Sequence, residues 1–393
     1  MSNFSYYTPT HVYFGRGTQN QVGELVRAQG CKKVLIHYGG QSARRSGLLD
    51  QVEASLDAAG VAHVQLGGVV PNPHLSLVYE GIELCRKEGV DFILAVGGGS
   101  VIDSAKAIGY GMCMDGDVWE LYNHTRRATG CLPIGVILTI AASGSEMSDS
   151  SVITKEEGGI KRGYNDDICR PKFAIMNPEL TMTLPDYQTA CGCTDILMHT
   201  LERYFVQGDA MEITDSIAEA LMRTVMEQAK ILRDDPKNYD ARAEVMWAGS
   251  LSHNGLTGCG HDGSDFASHR LEHEMGGMFD VAHGAGLAAI WGSWARYVYQ
   301  NCMPRFVRFA RNVMGVDAVL SDDAAALRGI ELMEDFFRSI HMPTCFSELG
   351  IHPTQAQLEE MAHKCRIAVG GLLGSAKKLD ESDMLAIYKL ANH

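Results

Sequence analysis

Two pairs of metal-competent side chains stand at helical spacing in the second half of the 393-residue chain. Asp195 and His199 are four residues apart, so both side chains leave one face of a helix, one turn from each other. His269 and His273 repeat that spacing in Asp265-Phe-Ala-Ser-His269-Arg-Leu-Glu-His273-Glu274, and Asp280-Val-Ala-His283-Gly284 follows. A carboxylate with imidazoles suits Fe(II), Zn, Mn, Co or Ni and leaves open positions for a substrate oxygen. A single His pair at this spacing is more often core or surface filler than a metal site. Two pairs in one helical region favour a bound divalent ion, although spacing alone leaves open which imidazoles join Asp195.

A second chemistry is written in glycine. Gly97-Gly98-Gly99-Ser100 ends an apolar run and opens the stretch Val101-Ile-Asp103-Ser-Ala-Lys106. Without side chains, the backbone N–H groups of such a turn can approach a pyrophosphate, and a helix N-terminus adds positive potential. GGGS alone is a weak signal, because ligand-free tight turns use it too. A second small-residue turn, Ser143-Gly144-Ser145-Glu146 after Leu138-Thr139, strengthens it. A third run ends in Gly39-Gly40-Gln41-Ser42, followed by Arg44 and Arg45, and residues 34–46 contain no Asp or Glu. An unphosphorylated ribose is usually held there by a carboxylate, so the missing acid points to a 2′-phosphate.

These turns require a sheet edge. Lys33–His37, Asp91–Val96 and Pro133–Thr139 are short aliphatic runs without polar alternation, the pattern of strands buried on both faces of a parallel sheet. Helical spacing in Ser46–Ala59 and Leu75–Glu88 supplies the crossovers. After Thr183-Leu-Pro185 the strand signal fades and long helical stretches follow: Tyr187–Phe205, Ile213–Leu232, Ala241–Leu256 and Ala324–Ile340. The sequence therefore predicts an α/β dinucleotide-binding domain over 1–184 and an all-α metal-binding domain over 185–393.

Composition excludes several classes. Net charge is −14, with no basic run fit to track a nucleic-acid backbone or an anionic membrane. The longest uncharged apolar stretch, near Gly284–Ala295, is far shorter than the roughly 20 residues that span a bilayer. The 11 cysteines include no C-x-x-C, and the N-terminus has no signal-peptide pattern, so a reducing, cytoplasmic setting is expected. The close pair Cys191 and Cys193 reads as helix packing.

The ordered set D-x-x-x-H (Asp195, His199), H-x-x-x-H-E (His269, His273) and H-G (His283), behind GGGS-x-x-D (Gly97 to Asp103), resembles the iron-dependent alcohol dehydrogenase family. Pro71-Asn-Pro73, Asn177-Pro178, Asn238-Tyr-Asp-Ala-Arg242 and Met246-Trp-Ala248 are similar to its branch of NADPH-dependent butanol dehydrogenases and broad-range aldehyde reductases. The resemblance spans nearly the whole chain and implies a dehydroquinate synthase-like fold, usually dimeric. It assigns Asp195, His199, His269 and His283 to one divalent metal ion, Fe2+ or Zn2+ first among those above. His273 is then a catalytic imidazole facing nicotinamide and substrate. NADP(H) falls to Gly39, Gly40, Ser42, Gly97, Gly98, Gly99, Ser100, Asp103, Thr139, Ser143, Ser145 and Lys161, with Gln41 departing from the branch's third glycine. The implied substrate is a small alcohol or aldehyde.

Two rivals share the fold. A dehydroquinate synthase-type lyase must hold a phosphorylated polyhydroxy acid and calls for several cations, yet residues 262–283 contain Arg270 alone. The other is an NAD-linked polyol dehydrogenase.

Overall fold

Eight strands and a larger number of helices make up the computed structural model, which describes residues Met1–His393. The strands are β1 (His11–Phe14), β2 (Lys33–Tyr38), β3 (Ala62–Leu66), β4 (Phe92–Gly97), β5 (Ile134–Leu138), β6 (Ser150–Lys155), β7 (Ile160–Asn165) and β8 (Phe173–Met176). Six form one sheet in the order β1-β8-β5-β4-β2-β3, with every pair parallel, while β6 and β7 make a separate antiparallel hairpin. The chain runs outward from β2 to β3 and then returns to the other side of β2 for β4. The order thus reverses between β2 and β4, the place where open α/β sheets bind ligands at their carboxyl ends.

The three aliphatic runs are the adjacent central strands β2, β4 and β5. Val34, Ile36, Leu94, Val96 and Ile137 pack with Val52 and Leu56 of the crossover helix Leu48–Ala58. The second crossover, Leu75–Glu88, ends where Gly89 takes a left-handed φ of 67°. No membrane-crossing helix is present: none is long and apolar enough.

The chain divides into two compact units, Tyr7–Thr183 and Leu184–His393, and the first six residues belong to the latter. The Ser2 amide donates to the Gly260 carbonyl at 3.0 Å, and the N-terminal ammonium pairs with Asp209 at 2.6 Å. The helical unit is built on Asp186–Tyr204, buried almost continuously from Gly192 to Glu202. Around it lie Glu212–Asp234, Tyr239–His253, Ala267–Phe279 and His283–Val298. An aromatic core of Phe205, Trp291, Trp294, Phe306 and Phe309 packs this unit, with Phe205 and Phe306 stacked at 4.2 Å. Cys193 is fully buried on the central helix, as the packing reading requires.

Candidate active site

The α/β unit brings its small-residue turns together at the sheet's carboxyl edge. Gly98 caps the helix Gly99–Met112, and Gly98, Gly99, Ser100, Thr139 and Ser143 are all partly exposed there. The Thr139 amide donates to the Gly97 carbonyl at 3.0 Å, joining the ends of β4 and β5. Glycine is required by close approach: a Cβ on Gly98 would lie 1.8 Å from Ile140, and one on Gly99 2.2 Å from the Ser143 hydroxyl. The Asp103 carboxylate accepts from the Ser145 hydroxyl (2.6 Å) and the Val152 amide (3.0 Å), tying the second turn to the helix that the first one opens.

At the end of β2, Gly39 and Gly40 lead into the short helix Ser42–Arg45, with Gly40 and Ser42 exposed. Arg44 donates to the Tyr38 hydroxyl (2.7 Å) and to Gln65 (3.0 Å), so its guanidinium is fixed beside this turn. Lys161 lies on the β6–β7 hairpin, opposite Thr154, with its side chain buried. The Thr154 amide reaches the Pro73 carbonyl at 2.8 Å, which sets the hairpin against the Pro71-Asn-Pro73 segment.

In the helical unit Asp195, His199 and His269 converge. Each is buried and offers one ligand atom, all within 4.8 Å of one another. His283 opens its helix with Nε2 at 3.7 Å from Asp195 Oδ1, and His269 Nε2 lies 3.5 Å from the same oxygen. Asp195 Oδ1 and His269 Nε2 are both buried without a hydrogen-bond partner. Such orphaned donor atoms are costly unless something else satisfies them. Together with the carboxylate–imidazole chemistry, they fit a divalent ion held by Asp195, His199, His269 and His283.

The remaining ring nitrogens are fixed from outside. His199 Nδ1–H donates to the Asp195 carbonyl at 3.0 Å. Glu202, fully buried on the same helix, takes both the His269 amide (3.0 Å) and His269 Nδ1 (2.5 Å). Glu272, also fully buried, bonds His283 Nδ1. These are carboxylate–histidine pairs of the kind that orient metal ligands and raise their basicity. Sequence reasoning missed both glutamates, although Asp195, His199 and Glu202 share one helical face at i, i+4 and i+7. It also missed His253, whose ring packs edge-on against His199 at 4.0 Å.

Charges follow this geometry. Burial opposes ionisation of Asp195, but His199, His283 and His269 hold it well below the usual carboxylate range. Burial also pulls His269 down, yet Glu202 and then Asp195 push it up to about 9. His199 is driven well below its ordinary value, chiefly by burial. His273 is grouped with Glu272 and His283, not with Asp195, and its ring lies 5.9 Å from that of His283.

Comparison with known proteins gives the family. Residues 9–178 match the family described as iron-containing alcohol dehydrogenase, and residues 189–392 match the C-terminal region of the Fe-containing alcohol dehydrogenase family. The chain is 39% identical to NADH-dependent butanol dehydrogenase A of Clostridium acetobutylicum, over 99% of both proteins. It is 34% identical to the NADPH-dependent aldehyde reductase YqhD of Escherichia coli, over 89% of this chain and 90% of that one. The crystal structure of NADH-dependent butanol dehydrogenase A from Thermotoga maritima superposes with a TM-score of 0.96 at 37% identity, covering 100% of this chain and 99% of that one. The sheet edge, the helical donor cluster and these likenesses have one reading: the chain belongs to the iron-containing alcohol dehydrogenase family and is an oxidoreductase of the alcohol dehydrogenase type.

Proposed function

We propose that this protein is a metal-dependent, NADP(H)-linked alcohol dehydrogenase that works mainly as a reductase of small aldehydes such as butyraldehyde. The observation that carries the reading is the convergence of Asp195, His199, His269 and His283, with orphaned buried donor atoms at its centre. When bound, a divalent ion supplies a Lewis acid to the substrate oxygen, and the nicotinamide supplies or accepts hydride. The chain's own residues orient and protect. The Gly97–Ser100 turn and the N-terminus of the helix Gly99–Met112 present N–H groups to the cofactor diphosphate. Glu202 and Glu272 hold two imidazoles in their ligating orientation. His273 relays a proton to the product oxygen, a task suited to an imidazole near neutral pH.

The phosphorylated cofactor is favoured because no carboxylate follows β2 and Arg44 stands fixed beside Ser42. A second reading, NADH, draws on the cofactor named for the Clostridium relative. Comparing kcat/KM for NADPH and NADH with butyraldehyde separates them. The expected result is a preference for NADPH that Gly40→Asp reverses, because the new carboxylate repels the phosphate and accepts ribose hydroxyls. Equal or better efficiency with NADH in the unmodified protein would sink the first reading. Full aldehyde reduction by a chelator-treated, metal-free sample would sink metal dependence. The family also implies a homodimer, which light scattering on the purified protein checks.

A further inference from the structure

Lys106 is a charged residue with no solvent exposure, on the helix that the Gly97–Ser100 turn opens. Its ammonium lies inside the loop that follows β5. Nζ is 2.7 Å from the Ser145 carbonyl, 2.9 Å from the Ser145 hydroxyl, 3.0 Å from the Ser148 carbonyl and 2.8 Å from the Ser150 carbonyl, with the Ser148 hydroxyl at 3.4 Å. These partners are neutral oxygens, and three N–H donors serve them. A buried cation surrounded by dipoles is costly to keep, and an apolar side chain of the same length would avoid that cost only by leaving the Ser145, Ser148 and Ser150 carbonyls without this donor. What lysine adds is a clamp on residues 145–150 and a positive charge beneath them.

The clamp completes a set. Gly99 lies against the Ser143 hydroxyl, Asp103 holds Ser145, and Lys106, nearly one turn further on, holds Ser145, Ser148 and Ser150. The loop is thus fastened along one side of the helix, and its Ser143–Ser145 turn is pressed against the glycine turn at the helix start. Gly144 supplies the left-handed bend, with φ of 65°.

We infer that Lys106 is a positioning residue of the dinucleotide site, welding the Ser143–Ser150 loop to the Gly97–Ser100 turn so that the two form one cradle for a diphosphate. The inference rests on the NADP(H) reading and deepens it. Lys106 touches no cofactor atom in this account; it acts through the loop and through its charge.

The test is binding by Lys106→Met, read by NADPH fluorescence and by displacement with two probes. ADP-ribose carries the diphosphate, and adenosine 2′-phosphate does not. The dissociation constants for NADPH and ADP-ribose should rise about tenfold or more, as expected when charge-assisted hydrogen bonds are lost. Adenosine 2′-phosphate should bind within about twofold of wild type, and kcat at saturating NADPH should stay within about threefold. A merely structural lysine would weaken both probes alike, and that result, or no change in either, overturns the inference. Should Lys106→Met fail to fold, Lys106→Gln, which keeps two donors and drops the charge, is read against the same criteria. Wild-type protein that binds neither NADPH nor ADP-ribose would overturn the cofactor reading itself.

Discussion

Glu202 and Glu272 brace the proposed metal site without being among its ligands. Each is fully buried and spends its carboxylate on an imidazole Nδ1, leaving Nε2 to face Asp195. Outer carboxylates of this kind change metal affinity about 10- to 100-fold when removed. Glu202→Gln and Glu272→Gln keep an acceptor oxygen and lose the charge, so each should weaken Co2+ or Zn2+ binding within that range, as read by chelator competition. Unaltered affinity in both would mean that the glutamates only fill space. The same geometry bears on His273 and His283, between which spacing alone does not choose a ligand. Both belong to the group with Glu272, but His283 Nε2 also lies 3.7 Å from Asp195 Oδ1. His283→Ala should lose the ion; His273→Ala should retain about one per chain while turnover falls and its pH profile changes. Metal analysis of the two purified variants checks this, and the reverse pattern would remove His273 from the proton route.

Among the elements, legibility followed burial over a run long enough to stand out; β8 is buried throughout, but its four residues, Phe-Ala-Ile-Met, are too few to do so. β2, β4 and β5 were readable because strands covered on both faces carry unbroken aliphatic runs. The edge strands β1 and β3 are half-exposed, and their sequences, His-Val-Tyr-Phe and Ala-His-Val-Gln-Leu, carry no such run. The hairpin β6–β7 was missed because its strands hold Ser, Thr, Lys and Arg. Helical spacing singled out Asp195 with His199 and His269 with His273, whereas His283 was named only through the family resemblance, because bringing it to Asp195 depends on packing that no local pattern encodes. Gly284 shows how that packing arises: a Cβ there would sit 2.1 Å from the Cys191 carbonyl oxygen, so the two helices meet backbone to backbone one turn before Asp195. Gly284→Ala should therefore cost about 1–3 kcal/mol or more in urea unfolding and lower metal content, because His283 is carried away from its partners. His37 ties β2 to its surroundings, donating from Nδ1 to the Leu66 carbonyl and accepting the Ser104 hydroxyl at Nε2, each at 2.9 Å. Burial lowers it to about 4, against the Leu66 bond that works the other way. The unfolded chain takes up a proton below about pH 6.5 while the folded one refuses it until about pH 4, so stability is lost as pH falls through that window. The loss amounts to about 3 kcal/mol at most, and should be missing from the acid limb of the stability curve of His37→Gln.

For the whole molecule, a net charge of −14 means that an anionic cofactor gains nothing from the protein's overall field. On the proposed reading its binding comes from local groups of the Tyr7–Thr183 unit: the glycine-turn amides, the helix N-terminus and Arg44, with the loop held in place by Lys106. The four proposed metal ligands, with Glu202 and Glu272, all lie in the unit formed by Leu184–His393 with the first six residues. On the proposed assignment each ligand has its own unit to stabilise. A ligand at 100 times its dissociation constant stabilises what it binds by about 2.7 kcal/mol, enough to slow amide exchange roughly 100-fold where exchange requires opening of the bound structure. NADPH added to metal-free protein should protect residues 97–112 and 139–150 most strongly. Metal added without cofactor should protect 190–204 and 267–286, the helices that carry its ligands. Hydrogen–deuterium exchange on the intact chain reads both segments in one experiment. Protection by NADPH centred on 190–286, or by metal centred on 97–150, would break the assignment of one site to each unit.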